Sequence, residues 1–290
     1  MNSILDGLLK AVSDWNGKFT GAFNIRENGE CAGRQSTKNI RIESKTDKPG
    51  LDIRIRPGTK GETVSIPACV THGGVDDLVY NDFFVGEGAD VTIVAGCGVH
   101  TDSEELARHN GIHRFFLEKG AHVTYLEKHV GAGKGAGVRS IDPVTEMFLE
   151  EDAVMTMDTS QIGGVDKSLR KTSATLAAGA KLHIHERILT EGEQQARTEF
   201  EVRMNGAGSG TDLSSPAPWR AAIPASPTVR CSSATRPARA IPSATPSSPT
   251  TARWTPPRSS LPTTPTPRSS TRPLSARSPE NRSSNCKRWG

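Results

Sequence analysis

Cysteine and histidine side chains, which are common ligands of transition metals, lie close together between residues 97 and 113. Cys97 and His100 are three residues apart, and His109 and His113 are four apart. On a helix the latter spacing would align two imidazoles, but Asn110-Gly111 between them argues against a helix. Cys/His spacing this loose favours a small core residue at Cys97 over a metal ligand, so we predict no resident metal site.

A glycine-rich segment, Gly131 to Gly137, contains Lys134 and could present backbone N–H groups to a phosphate. A P-loop requires Ser or Thr directly after the lysine and a helix behind it. Gly135 follows Lys134 instead, and no helical pattern comes next. We therefore expect a flexible, solvated turn that interrupts the repeats.

The remaining candidate side chains have ordinary explanations. His183 and His185 alternate with Leu182 and Ile184, which predicts a polar outer strand face rather than a ligand pair. The acid pairs Glu104-Glu105 and Glu150-Glu151 lie in turn-like stretches and are expected to be solvated. With no Ser/His/Asp arrangement, we predict no catalytic residues and no enzymatic activity.

Four copies of one short pattern, a small-residue turn followed by alternating apolar and polar residues, would position these side chains. The central alanines are Ala89, Ala121, Ala153 and Ala180, at steps of 32, 32 and 27 residues. Alternation places Val91 and Ile93 on one strand face and Thr92 on the other. Such strands bury their apolar face only when stacked, which predicts a β-solenoid.

Flanking patterns extend this all-β prediction. An apolar stripe with helical spacing predicts a short helix over residues 3–14. Shorter alternating runs predict strands over residues 19–25, 38–42, 51–57, 63–67 and 195–204.

Composition divides the chain into two unlike parts. Residues 1–213 have a net charge of −7, whereas residues 214–290 have a net charge of +11 and contain 15 of the 19 prolines. The second part has too little apolar surface to offset its chain entropy. We predict an N-terminal helical segment (1–19), a β-helix core (20–215) and a disordered tail (216–290).

Cysteine usage and the first residues predict the compartment. The five cysteines are scattered and include no C-x-x-C, which favours a reducing environment: Cys31, Cys69, Cys97, Cys231 and Cys286. No basic region followed by an apolar run opens the chain, and no stretch is long enough to span a bilayer. We expect a cytoplasmic protein that does not enter a membrane.

Several short segments, in the same order, resemble the SufB/SufD family of iron–sulfur cluster assembly scaffolds. They are Asn81–Gly98 (NDFFVGEGADVTIVAGCG), His109–His113 (HNGIH), Tyr125–His129 (YLEKH), Asp142–Thr145 (DPVT), Gln161–Asp166 (QIGGVD) and Glu186–Thr190 (ERILT). The resemblance covers about residues 67–215. It implies a right-handed parallel β-helix and a scaffold that holds an iron–sulfur cluster transiently. It also implies two partners, a SufC-like ABC-type ATPase and a second SufB/SufD-like subunit.

The resemblance ends at Ser215, and a shift of reading frame accounts for the change. A shifted codon consists of the last base of one codon and the first two bases of the next. Trp has the single codon TGG, so the shifted codon across Trp254-Thr255 must be GAC, which encodes aspartate. The same shift permits S-R-S-V-A directly after Ser215, E-C-D-A-I-I across Ser243 to Ser248, and a helical family-like C-terminus from Arg268 to Gly290. We interpret residues after about Ser215 as an out-of-frame translation.

This interpretation has consequences for the site. The expected cysteine, glutamate and histidine ligands of a cluster, and the ATPase-docking helix, fall in the hidden frame. The written tail offers only Cys231 and Cys286 as thiols. We therefore expect impaired function and an unpaired strand edge on the last coil.

Two alternatives remain open from the sequence. A β-helix enzyme acting on polysaccharides would be secreted and would have an aromatic or carboxylate-lined groove, whereas aromatics are 5% of this chain. Nucleic-acid binding through the basic tail is a poor match, because its arginines are scattered among prolines without lysine runs.

Overall fold

In a computed structural model of the protein, the described residues are 2–13, 15–214, 226–233 and 239–241. They form one helix, α1 (Ser3–Val12), and nineteen strands. The strands are β1 (Ala22–Glu27), β2 (Glu30–Gln35), β3 (Ile40–Ser44), β4 (Gly50–Ile55), β5 (Lys60–Ser65), β6 (Ala68–Val70), β7 (Val75–Val85), β8 (Asp90–His100), β9 (Ala107–Leu117), β10 (His122–Ala132), β11 (Arg139–Ile141), β12 (Val144–Leu149), β13 (Val154–Gln161), β14 (Lys167–Leu176), β15 (Lys181–Ile188), β16 (Gln195–Met204), β17 (Gly210–Ser214), β18 (Ser226–Ser233) and β19 (Arg239–Ile241).

The strands form two sheets that wind as a β-solenoid of about six turns. The first sheet runs β2-β1-β5-β8-β10-β13-β15-β17-β19, and the second runs β3-β4-β7-β9-β11-β14-β16-β18. β6 joins the first sheet beside β1 and β8, and β12 joins the second beside β9 and β14. The β-solenoid predicted from the repeats is confirmed, and pairing is parallel from β4 onward, as the family resemblance implies.

Each coil begins at a tight turn whose left-handed residue precedes a buried small side chain. The left-handed positions in the four predicted copies are Gly88, Gly120, Asp152 and Gly179, with φ between 55° and 69°. The alanines that follow them are fully buried. Gly58 and Gly208, with φ of 69° and 71°, open two further coils that the sequence comparison missed. Thr59 and Ser209 replace alanine there, which hid both copies.

Parallel register aligns equivalent residues of successive coils inside the solenoid. Val91, Val123, Met155 and Leu182 are direct neighbours across four strands of the first sheet. On the second sheet Phe83 and Phe115 stack at 4.6 Å between ring centroids. As predicted, Val91 and Ile93 are buried and Thr92 is not.

Helix α1 covers the outer face of the first sheet at two glycines of β8. A Cβ atom at position 96 would lie 2.2 Å from the carbonyl oxygen of Val12, and one at position 98 would lie 3.0 Å from the Leu8 side chain. The helix begins at Asn2, whose side chain accepts a hydrogen bond from the Leu5 N–H at 2.6 Å. It is two residues shorter than predicted, because the backbone at Ser13 is extended.

The N-terminal end of the solenoid differs from the uniform coils expected. β1 pairs with β2, and β3 with β4, in antiparallel register. In each sheet the first strand of the parallel stack is therefore covered by a short antiparallel strand, and its backbone edge is not left open.

Two segments of the predicted tail are described as strands. β18 pairs in parallel with β16, and β19 with β17. In these segments the backbone extends both sheets, because an uncovered strand edge offers N–H and C=O groups to any extended chain. The other tail residues, including Cys286 and those of the predicted hidden-frame helix, lie outside the described residues.

No helix in the described ranges has both the length and the apolar character needed to cross a bilayer.

Candidate functional site

The interior of the solenoid contains a row of polar side chains that runs across successive coils, and all of them are buried except the half-buried Arg26. We call it the buried polar column; it comprises Arg26, Asp77, His109, His113, Tyr125, Glu127, His129, Arg170, Glu186 and Thr198. It lies between two apolar clusters, the main core that includes Ile93 and Phe115, and a smaller cluster that includes Cys97 and Val99. Polar groups in such surroundings require partners, so their contacts define the site.

Arg170 is the centre of the column and lies between two carboxylates. Its Nη1 contacts Glu127 Oε2, and its Nε lies 2.9 Å from Glu186 Oε1. Arg170 and Glu186 side chains are 2% exposed and Glu127 is 1% exposed. Thr198 donates a hydrogen bond to Glu186 at 3.1 Å, and Arg170 Nη2 lies 3.2 Å from His129 Nδ1. Two buried negative charges thus share one buried positive charge.

His113 connects this centre to the second sheet. Its Nδ1 lies 2.8 Å from the Tyr125 hydroxyl, which donates to Glu127 at 2.9 Å. Because that hydroxyl donates its proton to Glu127, His113 Nδ1–H is the donor to the Tyr125 oxygen. The imidazole is therefore oriented by a hydrogen-bond chain that ends on a carboxylate.

His109 has an equivalent orientation at the N-terminal end of the column. Its Nδ1 lies 2.9 Å from Asp77 Oδ2, and Asp77 also accepts from Arg26 at 2.7 Å. The rings of His109 and His113 approach each other over Gly111, where a Cβ atom would lie 2.9 Å from His113 Nε2 and 3.5 Å from His109 Nε2. A Cβ atom here would force the His113 imidazole to shift, whereas its distance to His109 would be ordinary van der Waals contact, so glycine leaves room for His113.

Burial and neighbouring charges set the protonation states. Burial lowers the pKa of His113 to about 4, even though the Glu127 charge opposes this, so the imidazole is neutral near pH 7. Burial also lowers the pKa of His129. For Glu127, burial alone would raise the pKa, but Arg170 and His129 outweigh it and hold that pKa well below its usual range.

Asp77 and Tyr125 complete the electrostatic pattern. Burial would raise the pKa of Asp77, but hydrogen bonds from His109 and Arg26 hold it well below its usual range. Burial and the nearby Glu127 charge raise the pKa of the Tyr125 phenol well above its usual value. Near pH 7 the column therefore contains ionised Asp77 and Glu127, an ionised arginine, neutral His113 and His129, and a protonated phenol.

Several polar atoms beside the column have no hydrogen-bond partner among the described residues. They are the two side-chain amide atoms of Gln161 and the hydroxyls of Thr145, Thr159 and Thr172. Register places Gln161 next to His129, and Thr159 next to both Glu127 and Glu186. These unpartnered groups therefore lie beside the charged centre of the column.

The residues considered as metal ligands do not converge on one site. Cys97 is buried, as expected for a core residue, and burial raises the pKa of its thiol well above normal. His109 and His113 lie on strand β9, in agreement with the rejection of a helix. His100 Nε2 instead contacts Asp102 at 2.9 Å. Among the described residues no three His, Cys, Asp or Glu side chains are placed to bind one metal ion.

The glycine-rich segment is held against the preceding coil, which corrects the expectation of a flexible turn. The Lys134 N–H donates to Asp102 at 2.9 Å, so a carboxylate takes the place considered for phosphate. Cβ atoms at positions 133, 135 and 137 would lie 2.0–2.2 Å from carbonyl oxygens of residues 101–105. Glycine is needed here for close backbone approach, not for ligand binding.

His183 and His185 lie half-buried on the outer face of β15, with Leu182 and Ile184 inside, which confirms the prediction of a polar outer face. The acid pairs Glu104-Glu105 and Glu150-Glu151 are exposed, as expected.

Sequence reasoning did not identify Tyr125, Glu127, His129, Arg170 or Glu186 as a site. The signal was the strand phase. Counting in twos from Val123 reaches Tyr125, Glu127 and His129, and counting back from Leu176 reaches Arg170. These inward positions predict apolar residues, so ionisable residues there indicate a function or a paired charge.

Comparisons with known proteins give a partial likeness. No protein-family model matches the chain. Residues over a span of 175 are 24% identical to an "Iron-sulfur cluster assembly SufBD family protein" of Methanothermobacter thermautotrophicus strain Delta H, and the same identity is found with the counterpart of strain Winter. The match covers 59% of this chain and 41% of each relative, so the chain spans well under half of the proteins it resembles.

Proposed function

We propose that the protein is a scaffold subunit of an iron–sulfur cluster assembly system and is not itself an enzyme. It would work in the cytoplasm with a SufC-like ABC-type ATPase and a second SufB/SufD-like subunit. The cluster is its cargo, held transiently and passed on.

One observation supports this proposal above the others. Three of the short segments that resemble the SufB/SufD family, HNGIH, YLEKH and ERILT, supply His109, Gly111, His113, Tyr125, Glu127, His129 and Glu186. All of these except Gly111 belong to the buried polar column, and Gly111 leaves room for the His113 imidazole. The family-like residues thus coincide with an interior that an ordinary solenoid would fill with apolar side chains.

Cluster binding requires thiolate, imidazole or carboxylate ligands that can reach the iron. Cys97 and Cys69 are poor candidates, because burial raises the pKa of Cys69 to about 12 and that of Cys97 well above normal. We therefore propose that the ligands and the ATPase-docking helix belong to the segment encoded out of frame after about Ser215.

The test compares the chain as written with a chain whose frame is restored after Ser215. Both are incubated anaerobically with ferrous iron and sulfide, desalted and measured by visible absorption, then mixed with the ATPase and passed over a sizing column. We expect the restored chain to retain a cluster and bind the ATPase, and the written chain to do neither. Retention of both by the written chain would overturn the frame-shift proposal, and failure of both chains would overturn the scaffold proposal.

A further inference from the structure

An open groove on the outer face of the second sheet lies away from the buried polar column. It encloses about 940 Å³ where β11 ends and β12 begins. The sheet is interrupted there at Asp142-Pro143, and Asp142 accepts a hydrogen bond from the Leu169 N–H at 2.9 Å. The interruption recesses the outer surface between β9 and β14.

The groove has an apolar floor and a basic rim. Leu78, Ile112 and Val144 line the floor, and Leu78 is 41% exposed. Lysine and arginine side chains line the rim, together with one acid, Asp142: Arg108, Lys167, Lys171 and Arg197. A basic rim is unexpected in a core whose net charge is −7.

Two of the four cations have no ion-pair partner in the described ranges. Arg108 contacts Asp76 at 2.9 Å, and Arg197 contacts Glu199 at 2.9 Å. Lys167 and Lys171 are exposed, and no carboxylate of the described residues lies within ion-pair distance of either. The Oδ1 atom of Asn110, which also lines the groove, is buried without a hydrogen-bond partner. The groove therefore has uncompensated positive charge and an unmet polar group.

The spacing of the charges indicates the kind of ligand. Lys167 and Lys171 are four residues apart on one strand, which separates them by about 13 Å. Arg197 lies opposite Leu169 on the neighbouring strand, about 4.8 Å across the sheet. These are backbone spacings, and cations distributed along a strand in this way match an extended chain with several carboxylates better than one phosphate. The apolar floor between the cations suits alternate apolar side chains of the same segment.

The chain's own tail is excluded as the ligand by charge, because residues 214–290 have a net charge of +11. We propose that the groove binds an acidic segment with apolar anchors from a partner protein. This inference concerns a surface distinct from the column and does not depend on the iron–sulfur role.

The test uses a fluorescein-labelled dodecapeptide of alternating Glu and Leu, titrated with the full chain and followed by fluorescence anisotropy. We expect saturable binding that weakens as salt rises from about 50 to about 300 mM. The double variant Lys167→Ala/Lys171→Ala should weaken binding about fivefold, as loss of two exposed ion pairs would. The matched variant Lys38→Ala/Lys60→Ala removes the same charge elsewhere and should bind like the original chain.

The following results would overturn the proposal. One is the absence of saturable binding, or an equal loss in both double variants. Another is displacement of the peptide by tripolyphosphate at equal concentration, which would indicate a small-anion site. The third is self-association of the chain that Lys167→Ala/Lys171→Ala abolishes, which would make a second copy the ligand.

Discussion

Arg170 has the most demanding environment of any single residue described. It is fully buried, and although burial alone would lower the pKa of its guanidinium, Glu127 and Glu186 raise that pKa above its ordinary value. Such an arrangement contributes little net stability compared with apolar packing, but it is costly to break.

Replacement of Arg170 by methionine should leave Glu127 and Glu186 as buried carboxylates without a positive partner. We expect the free energy of unfolding to fall by about 3–5 kcal/mol. The control is Arg187→Met, which removes an exposed pair with Asp158 and should cost less than about 1 kcal/mol. Urea denaturation measures both, and equal losses would show that the buried charges are not coupled.

His113 makes the stability of the protein depend on pH. Its pKa falls from 6.5 in the unfolded chain to about 4 in the folded protein. The unfolded state therefore binds the proton more readily, and the stability that neutral His113 contributes above pH 6.5 is lost as pH falls towards 4. The slope approaches about 1.4 kcal/mol per pH unit for one group.

Urea denaturation at about pH 7 and about pH 5 should show this loss, and His113→Gln should reduce it. His129, whose pKa is also lowered, adds a contribution of the same sign. Glu127 and Asp77 do not interfere in this window, because their pKa values lie below it. An unchanged pH dependence in His113→Gln would contradict the assignment.

At the scale of elements, strand faces were predictable and contacts between coils were not. Alternation identified the buried sides of β8 and β15 from single residues such as Ile93 and Ile184. The pairing of Glu127 with Arg170 joins residues 43 apart, and this separation depends on loop lengths that have no fixed period. The sequence analysis missed the buried polar column for this reason, although strand alternation places each of its residues on an inward face.

The same limit explains the two glycines of β8. The sequence around Gly96 and Gly98 does not indicate why glycine is needed, because these residues contact a helix more than eighty residues earlier in the chain. Only the docked position of α1 shows why a side chain is excluded.

Gly96→Ala should therefore displace helix α1, because the added methyl meets the Val12 carbonyl. Overpacking of this kind costs about 1–3 kcal/mol. We expect faster hydrogen exchange at the amides of residues 5–12. Gly7→Ala, where no atom lies within 4 Å of the new methyl, should instead slow exchange there by favouring the helix. Faster hydrogen exchange in Gly7→Ala, or unchanged exchange in Gly96→Ala, would contradict the packing of helix α1 on β8.

At the scale of the whole molecule, the two ends of the solenoid differ. Antiparallel hairpins pair the first coil, whereas β18 and β19 lie on the last one as single parallel strands. We expected an unpaired strand edge on the last coil because the out-of-frame tail would remove the cap. Among the described residues β18 and β19 are the terminal strands of the two sheets, so they extend the solenoid and an edge remains.

Truncation after Ser214 should expose the edges of β16 and β17 and lead to self-association. Light scattering coupled to a sizing column would show species that grow with protein concentration. A chain ending at Ile241 keeps both strands and should remain smaller at the same concentrations. The same concentration-independent oligomeric state for the two chains would show that β18 and β19 do not prevent self-association through β16 and β17.

The buried polar column also determines how the solenoid comes apart. Stacked coils without it would fray one at a time from either end, since each contacts only its neighbours. Here Glu127 on β10, Arg170 on β14 and Glu186 on β15 belong to different coils but to one charge balance. No single coil among them can leave without stranding an ion in apolar surroundings, so the middle of the molecule melts as one cooperative block between looser ends.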